Sequence, residues 1–353
     1  MTSRRNTRQI YVGAVPVGGS APISIQSMTP WPASDIARNM RLIHSLDKLG
    51  CDIIRIAIPD EASAMALKAI SRRSPMPVVA DIHFSHSLAI LAASSGAAAI
   101  RINPGNIGSK ARLRAVVKAC RETGASMRIG INTGSLPSAV VRQYPKRGAA
   151  AMMETARRWI QDLEDMDFQN FKVSLKASSV PETIEANRAF SARWDYPLHL
   201  GLTEAGLPDE GMVVSAAALS PLLLDGIGDT LRISLSGPCR QEVLAARHLL
   251  VSLGLRQGVR LVACPSCGRS EINVASLAKV VQRIVAPCTE NLTVAVMGCA
   301  VNGPGEAAQA DIAVVGSPKG IVLYVHGKKH SRVESPGDLA KPLTTLLYQT
   351  AKG

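Results

Sequence analysis

Short apolar runs alternate with longer segments of helical periodicity along most of the chain. Continuous aliphatic runs are typical of parallel strands that are buried on both faces. Eight such runs predict strands at Ile23–Gln26, Ile53–Ile56, Pro77–Ala80, Ala98–Ile102, Met127–Ile131, Phe171–Leu175, Pro197–Leu200 and Thr230–Ser234. Helical spacing between them predicts helices such as Asp35–Leu49, Glu61–Arg72, Lys110–Thr123, Met152–Met166 and Pro181–Trp194. Eight successive strand–helix units predict an α/β fold, a (β/α)8 barrel of the TIM type, and a doubly wound sheet is the weaker alternative.

The pattern changes at both ends of this region. Before it, Ile10–Val17 with Gly18 and Gly19 predicts a β-hairpin. After Leu253, Gly254–Gly258 is typical of a linker, and a smaller α/β unit follows. Its predicted strands are Val259–Ala263, Leu292–Met297, Ala310–Val315 and Ile321–Val325, and its predicted helices are Asn273–Val285 and Gly337–Thr350. We therefore expect a barrel domain over residues 1–253 and a small domain over residues 254–353.

Composition narrows the class of protein. Hydrophobic residues are 46% and charged residues 19% of the chain, which excludes a disordered or collagen-like protein. The net charge of +13 favours an anionic partner, but the basic residues are scattered and aromatic residues are only 3%. We therefore predict no nucleic-acid partner. No long apolar run or signal-peptide core is present in the sequence, so we expect a cytoplasmic protein without a membrane partner.

Polar residues end the eight predicted barrel strands. Catalytic residues of TIM barrels lie at these carboxyl ends. The residues there are Gln26, Ser27, Met28, Arg55, Asp81, His83, Arg101, Asn103, Arg128, Asn132, Lys172, Lys176, Glu204, Arg232 and Ser234. Loops are generally rich in polar residues, so loop composition alone could account for any one of these residues. Several cations that converge on one mouth predict a site for an anionic, phosphorylated ligand.

Two cysteine-bearing turns end successive strands of the small domain. Cys264 and Cys267 form a C-x2-C turn, and Cys299 precedes a Gly-Pro-Gly turn that leads to Glu306. A C-x2-C pair with a distant cysteine is a common way to hold a cubane iron–sulfur cluster. The spacing alone also allows a structural zinc site. Three thiolates and one carboxylate would leave one exchangeable iron position.

The motifs resemble the bacterial 4-hydroxy-3-methylbut-2-enyl diphosphate synthase family. The resemblance runs in order from about Arg8 to Leu347. The segments that carry it are Ser24–Thr29, Gly50–Arg55, Ala80–Phe84, Arg101–Gly108, Arg128–Asn132, Phe171–Ser178, His199–Gly206, Gly226–Ser234, Cys264–Glu271 and Gly298–Glu306.

The resemblance implies a fold, a reaction and a cofactor. The fold would be a TIM-type barrel followed by a small α/β domain that binds a [4Fe-4S] cluster. The reaction would be the reductive ring opening and dehydroxylation of 2-C-methyl-D-erythritol 2,4-cyclodiphosphate to 4-hydroxy-3-methylbut-2-enyl diphosphate, in the methylerythritol phosphate route to isoprenoids. Reduced flavodoxin or ferredoxin would supply two electrons. A homodimer in which each cluster domain caps the other chain's barrel is implied as well.

Carried over by motif, the resemblance also implies roles for single residues. The cluster ligands are Cys264, Cys267, Cys299 and Glu306. The diphosphate site comprises Arg55, Arg101, Asn103, Arg128, Asn132, Lys176, Arg232 and Ser234. The catalytic lining comprises Asp81, His83 and Glu204, together with Glu306.

Two other classes of protein explain part of the sequence. A pterin- or folate-type barrel transferase would account for the cationic mouth but not for three cysteines with a glutamate. A basic, zinc-stapled nucleic-acid-binding protein would account for the charge and the C-x2-C turn but not for eight strand–helix units.

Overall fold

A computed structural model describes residues 4–83, 85–103, 108–299, 305 and 308–351. The chain divides into two compact units, Met1–Leu249 and Leu250–Gly353. The first unit opens with an antiparallel hairpin of β1 (Ile10–Val12) and β2 (Val15–Val17), as predicted. The hairpin packs against Ile53, Val79 and Ala99, which lie at or near the amino ends of their strands. It therefore covers the amino-terminal end of the sheet.

The first unit is a parallel barrel. Its strands are β3 (Ser24–Met28), β4 (Ile53–Ala57), β5 (Val78–Asp81), β6 (Ala99–Ile102), β7 (Ser126–Asn132), β8 (Phe171–Lys176), β9 (His199–Leu200) and β10 (Thr230–Leu231). The hydrogen-bonded order is β8-β7-β6-β5-β4-β3-β10-β9, and a parallel bridge between Val173 and Leu198 joins its two ends. The predicted TIM-type barrel is confirmed.

Helices follow the strands around the barrel. They are α1 (Ile36–Asp47), α2 (Glu61–Arg73), α3 (His86–Ser94), α4 (Lys110–Thr123), α5 (Ser138–Gln143), α6 (Gly148–Glu164), α7 (Val180–Ser191), α8 (Pro208–Leu224) and α9 (Cys239–Ser252). Side-chain oxygens cap several amino termini; Asp60, for example, accepts the Ser63 amide at 2.7 Å. Gly124, at φ +72°, ends α4 in the left-handed conformation that favours glycine.

Alternation along the strands brings polar side chains into the barrel. All of β7 but its last residue is buried, and its apolar residues Met127, Ile129 and Ile131 alternate with Arg128 and Gly130. Because side chains point to opposite faces in turn, the apolar set packs under the helices and the other set faces the interior. The barrel interior near the carboxyl ends is consequently polar.

The last two barrel strands are shorter than predicted: β9 covers only His199–Leu200 of the predicted Pro197–Leu200, and β10 is shortened too. The apolar run predicts a strand over Thr230–Ser234, but β10 ends at Leu231. The backbone N–H of Leu235 donates to the Glu242 carboxylate at 3.1 Å. The Arg232 backbone N–H still donates to the Leu200 carbonyl of β9 at 3.0 Å, but the ladder ends there, so Arg232 and Ser234 lie in the loop beyond β10.

The second unit is a mixed sheet with helices on one face. Its strands are β11 (Arg260–Ala263), β12 (Thr293–Met297), β13 (Ile312–Ser317), β14 (Gly320–Val325) and β15 (Lys328–Val333), hydrogen-bonded in that order. The first three are parallel and the last two antiparallel. Two helices, α10 (Val274–Val285) and α11 (Ala340–Thr350), contribute Val281 and Leu343 to its core.

The four strands predicted in this unit are present, and β15 is an addition. Its sequence, Lys-Lys-His-Ser-Arg-Val, lacks an apolar run because it is an edge strand that is exposed at most positions. No helix in the described parts of either unit has the length and apolar character needed to cross a membrane.

Candidate active site

A buried carboxylate organises the barrel mouth. Asp81 ends β5, is 2% exposed, and accepts a hydrogen bond from Arg101 Nη1 at 2.9 Å. Its second oxygen lies 3.4 Å from Arg55 Nε and 3.7 Å from His83 Nε2. Burial alone would raise the pKa of Asp81, but Arg55, His83 and Arg101 together hold that pKa well below its usual range. The carboxylate is thus ionised at neutral pH and joins two of the predicted phosphate-binding arginines.

The Met28 side chain lies between the guanidiniums of Arg55 and Arg232. Met28 Sδ is 3.2 Å from Arg55 Nε, 3.0 Å from Arg55 Nη2 and 3.7 Å from Arg232 Nη1. A thioether is a weak acceptor without charge. It orients the two guanidiniums but does not neutralise them.

Glu242 fixes the position of Arg232. Its carboxylate is 3% exposed and accepts from Arg232 Nε at 3.3 Å and Arg232 Nη2 at 3.1 Å. It also accepts from Ser27 Oγ and from the Leu235 backbone N–H, both at 3.1 Å. Glu242 lies in the first turn of α9, where the helix dipole favours a negative charge. One buried carboxylate therefore ties together β3, the loop after β10 and the start of α9.

Two glycines make room for two of the cations. A Cβ atom on Gly130 would lie 2.5 Å from Arg101 Nε, and a Cβ on Gly201 would overlap Lys176 Nζ. Gly201 also has a φ of +157°. The side chains of Arg101 and Lys176 therefore occupy space inside the barrel that is open only because these neighbours are glycines.

The mouth holds more positive than negative charge. Burial lowers the pKa of Arg55 to about 10, although Asp81 raises it. Burial, followed by Arg128 and Arg55, lowers the pKa of Lys176 well below its ordinary value. Arg128, at 2% exposure, has a pKa lowered by burial and then by Arg55 and Arg101. Such a cluster of buried cations is stabilised by an incoming anion.

The other predicted site residues surround this cluster to different extents. Asn103 is buried and donates to Ser135 Oγ at 2.8 Å, and Asn132 stands opposite Lys176 in register. His83 has a side chain 52% exposed, and Glu204 is exposed with a left-handed φ of +57°. The hydrogen bonds and ion pairs of the described residues do not bring Glu204 or the half-buried Ser234 into the cluster.

The cysteines of the second unit lie at the carboxyl ends of two adjacent strands. The backbone N–H of Cys264, directly after β11, donates to the Val296 carbonyl of β12 at 3.0 Å. Cys299 follows β12 and is 5% exposed, whereas Cys267 is exposed. A hydrogen bond from the Arg269 backbone lowers the pKa of the Cys267 thiol. All three thiols are free.

The two cysteine turns pack closely. The Glu271 backbone N–H donates to the Gly298 carbonyl at 2.9 Å, and a Cβ on Gly298 would overlap Val274 and crowd Ser270 Oγ. Free thiols that share one sheet edge match the soft donor set of an iron–sulfur cluster. Within the described residues, however, no group of three or more His, Cys, Asp or Glu side chains is assembled for a metal. Glu306, the predicted fourth ligand, lies outside the described residues.

Sequence reasoning missed the groups that support the mouth. Glu242 lies in the first turn of helix α9, and an acidic residue at a helix start is its only signal in the sequence. Gly130 and Gly201 lie within the quoted motifs, but the space they open depends on side chains from other strands.

Family comparisons cover most of the chain. The model of the GcpE TIM-barrel domain matches residues 7–247, and that of the GcpE protein C-terminal domain matches residues 260–347. A 4-hydroxy-3-methylbut-2-en-1-yl diphosphate synthase (flavodoxin) from Geobacter sulfurreducens is 47% identical and covers 92% of each chain. The enzyme of that name from Thermodesulfovibrio yellowstonii is 45% identical, covering 93% of this chain and 94% of its own. That from Symbiobacterium thermophilum is 42% identical, covering 99% and 95%.

Solved structures share the fold at low identity. A truncated 3-deoxy-D-arabino-heptulosonate 7-phosphate synthase from Thermotoga maritima is 13% identical with a TM-score of 0.51, covering 70% of this chain and 94% of its own. The Yersinia pestis dihydropteroate synthase is 11% identical with a TM-score of 0.50, covering 70% and 98%. At these identities the likeness concerns the fold alone.

Proposed function

This chain belongs to the GcpE family, and on that premise we propose that it converts 2-C-methyl-D-erythritol 2,4-cyclodiphosphate to 4-hydroxy-3-methylbut-2-enyl diphosphate in the methylerythritol phosphate pathway. In this reaction the ring C–O bond to the diphosphate breaks, the neighbouring hydroxyl leaves as water, and two electrons form the double bond. The observation that carries the proposal is the buried cation cluster at the barrel mouth.

The cluster supplies binding and orientation for the diphosphate. The positive charge comes from the buried Arg101, Arg128 and Lys176 and from the half-buried Arg55 and Arg232. Their partial or full removal from water strengthens contacts to phosphate oxygens. The substrate site also includes hydrogen-bonding side chains on the same rim: Asn103, Asn132 and Ser234. Asp81 acts through Arg55 and Arg101, since an ionised carboxylate held by two arginines is a poor proton donor. It is therefore a positioning residue.

Two exposed groups on the barrel unit are suited to move protons. His83 and Glu204 lie just after β5 and β9, at the carboxyl end of the barrel. The leaving hydroxyl needs a proton to depart as water, and a histidine or carboxylic acid supplies one near neutral pH. The left-handed backbone at Glu204 is a strained conformation of the kind that is retained at functional sites.

The second unit is proposed to hold a [4Fe-4S] cluster through Cys264, Cys267, Cys299 and Glu306. These residues would hold the cluster, which would supply the one-electron redox chemistry that the reaction needs. The thiolates retain the cluster, and Glu306 is the most readily displaced ligand, because a hard oxygen binds a soft iron–sulfur core less firmly than sulfur does.

The electron donor is proposed to be a flavodoxin-type protein, as the names of the relatives state for those enzymes. The chain's net charge of +13 suits an acidic carrier. Seven free cysteines suit a reducing compartment, which supports a cytoplasmic location.

The active assembly is proposed to be a homodimer in which each small unit caps the partner's barrel. This rests on the family resemblance. It is tested by mixing a barrel-deficient chain (Arg55→Ala with Arg101→Ala) and a cluster-deficient chain (Cys264→Ser), each inactive alone. A mixed dimer rebuilds one intact site only in the trans arrangement. Recovered activity supports it, and no recovery after verified subunit exchange contradicts it.

The two alternative functions are not favoured. Likeness to a dihydropteroate synthase is 11% in sequence and extends only to the fold. A zinc-stapled nucleic-acid-binding protein is at odds with family models that span both units.

Turnover by the loaded enzyme tests the proposed function. Protein purified without oxygen and containing iron and sulfide is incubated with the cyclodiphosphate and reduced flavodoxin, and products are identified by mass spectrometry. The proposal expects 4-hydroxy-3-methylbut-2-enyl diphosphate only when both flavodoxin and reductant are present. Fully loaded protein that leaves the cyclodiphosphate unchanged contradicts it.

A further inference from the structure

One lysine inside the barrel lies beneath the cation cluster and has no role in the proposed site. Lys172 is on β8, four residues before Lys176, and is 1% exposed. Asp81, Arg101, Arg128 and Lys172 occupy directly opposed positions on four successive strands. Directly opposed residues of a sheet project from the same face, so Lys172 points inward with the guanidinium of Arg128 beside it.

Lys172 has no neutralising anion of its own. Within the described part of the chain, its Nζ has no hydrogen-bond partner. The charged and titratable groups that act on it are Arg128 from β7, His199 from β9 and Asp229 just before β10. The Asp229 carboxylate is already engaged by Arg4 Nη2 at 3.0 Å and by Thr7 Oγ1 at 3.1 Å.

Asp229, the third of these neighbours, does not offer the Lys172 amine a strong hydrogen-bond acceptor. Asp229 also accepts the Leu198 backbone N–H at 2.8 Å, which uses its second oxygen. His199 Nδ1 is 3.4 Å from Thr230 Oγ1, and its Nε2 has no partner in the described residues. Burial, followed by the positive field of Arg128, lowers the pKa of Lys172 to about 7. A large share of the protein therefore carries a neutral amine at this position at neutral pH.

We propose that Lys172 is a proton acceptor linked to substrate binding: its buried amine takes up a proton from water when the diphosphate occupies the mouth. This rests on the proposed function. The bound anion offsets the charge of Arg128, which is the like charge that opposes an ammonium group next to it. One N–H bond forms on Lys172 and one proton leaves solution or its buffer, so the charge added by the substrate is partly compensated inside the barrel.

Thermodynamic linkage between proton binding and substrate binding fixes the sign of the pH dependence of substrate affinity. A ligand that favours the protonated amine binds more tightly when that amine is already protonated. Substrate affinity is therefore constant below about pH 7 and falls as the pH rises above it, by up to about tenfold per pH unit, until the amine of the complex also titrates. A lysine whose protonation is not coupled to substrate binding gives no pH dependence of substrate affinity.

The test is the number of protons taken up when substrate binds. The cyclodiphosphate is titrated calorimetrically into the oxidised, cluster-loaded enzyme without reductant, so that no turnover occurs. Titrations near pH 7.5 in two buffers of different ionisation enthalpy give the proton count. Each phosphorus of a cyclic diphosphate carries one strongly acidic oxygen, so the ligand itself contributes no proton change in this range.

The wild-type enzyme is expected to take up about half a proton per bound substrate near pH 7.5. Lys172→Met retains the length of the side chain and should lower this uptake below the wild-type value by the share that Lys172 contributes, whereas Lys110→Met on the surface helix α4 should leave it unchanged. Lys172→Gln serves as a second variant. The affinity profile of the wild-type enzyme between about pH 6 and pH 9 adds a check that needs no variant: an affinity that does not fall above about pH 7 contradicts the inference.

Binding by the wild-type enzyme without proton uptake overturns the inference. So does uptake that is undiminished in a folded Lys172 variant, because Lys176, His83 or another group would then be its whole source. If the cyclodiphosphate does not bind to the loaded enzyme at all, the proposed function fails, and the inference fails with it.

Discussion

Arg101 reaches the barrel mouth across Gly130. A Cβ atom on Gly130 would lie 2.5 Å from Arg101 Nε and 3.0 Å from Arg101 Nη2. The guanidinium is thereby held against Asp81, at 2.9 Å, on the strand to its other side. A glycine in the middle of β7 weakens a strand, so its presence marks a position where another side chain needs the space.

We expect Gly130→Ala to displace Arg101 and weaken substrate binding about tenfold. The atoms it meets are the end of a flexible side chain, so the thermal midpoint should move by only a few degrees. Gly134→Ala is the matched control, because nothing lies within 4 Å of a Cβ there. Calorimetric binding and thermal unfolding of both variants check the prediction. Equal affinity in the two variants would mean that Arg101 does not need this space.

Glu242→Gln should raise the KM for the cyclodiphosphate about tenfold. The amide has one acceptor oxygen in place of two and no charge, so it cannot retain Arg232, Ser27 and the Leu235 N–H together. Glu210→Gln is the control, since Glu210 is exposed in the first turn of α8. Steady-state kinetics on cluster-loaded protein separate the effects. A fall in kcat with an unchanged KM would show that Glu242 does not act through substrate binding.

Asp81→Asn should destabilise the barrel by about 3 kcal/mol at neutral pH, because it leaves buried arginines without their counter-ion. Folding lowers the pKa of Asp81, so its ion pairs stabilise the protein above the unfolded-state pKa of about 4 and are lost as the pH falls through the folded value. The difference in unfolding free energy between the wild-type protein and Asp81→Asn should be constant from about pH 5 to 8 and should decrease only at acidic pH. Urea unfolding across this range measures it. A difference that changes between pH 6 and 8 would assign the effect to another group.

Cys264→Ser should abolish cluster retention. Its turn is bound to β12 through the Val296 carbonyl, and a serine hydroxyl is not a thiolate donor. Cys120→Ala should keep the full content of about four irons per chain, since Cys120 is buried among aliphatic residues and burial raises its pKa to about 12. Iron and sulfide analysis after anaerobic purification tests both. A full cluster in Cys264→Ser would remove that residue from the ligand set.

The barrel could be predicted because short, mostly apolar runs alternate with segments of helical periodicity, and the ends of these runs include the residues that the mouth brings together. Asp81, Arg55 and Arg101 are an example: they are far apart in sequence, but neighbouring parallel strands place them side by side. The roles that the resemblance assigns to these residues, to Glu204 and Ser234, and to the cluster ligands all stay predictions.

Other features could not be predicted because they depend on contacts between elements. The strand β15 is polar because it lies at a sheet edge, so it has no hydrophobic pattern. In the sequence Glu242 has no feature that distinguishes it from other helical glutamates. Its role is visible only in the structure, where Arg232 and Ser27 donate hydrogen bonds to it. The alternation of side chains along β8 is consistent with an inward position for Lys172. Only the register between β7 and β8 shows that Arg128 lies directly opposite it.

The proposed function depends on binding of the cyclic diphosphate by the cations of the barrel mouth. Its most direct test is a substrate binding isotherm for the cluster-loaded wild-type enzyme, Arg101→Ala and Arg114→Ala, the last an exposed arginine on α4. A charge-assisted contact to a buried phosphate is worth about 1.5–3 kcal/mol, so Arg101→Ala should bind at least about tenfold more weakly, with unchanged cluster absorbance, while Arg114→Ala matches the wild type. A binding curve for Arg101→Ala that superimposes on the wild-type curve would contradict the binding of the diphosphate by these cations.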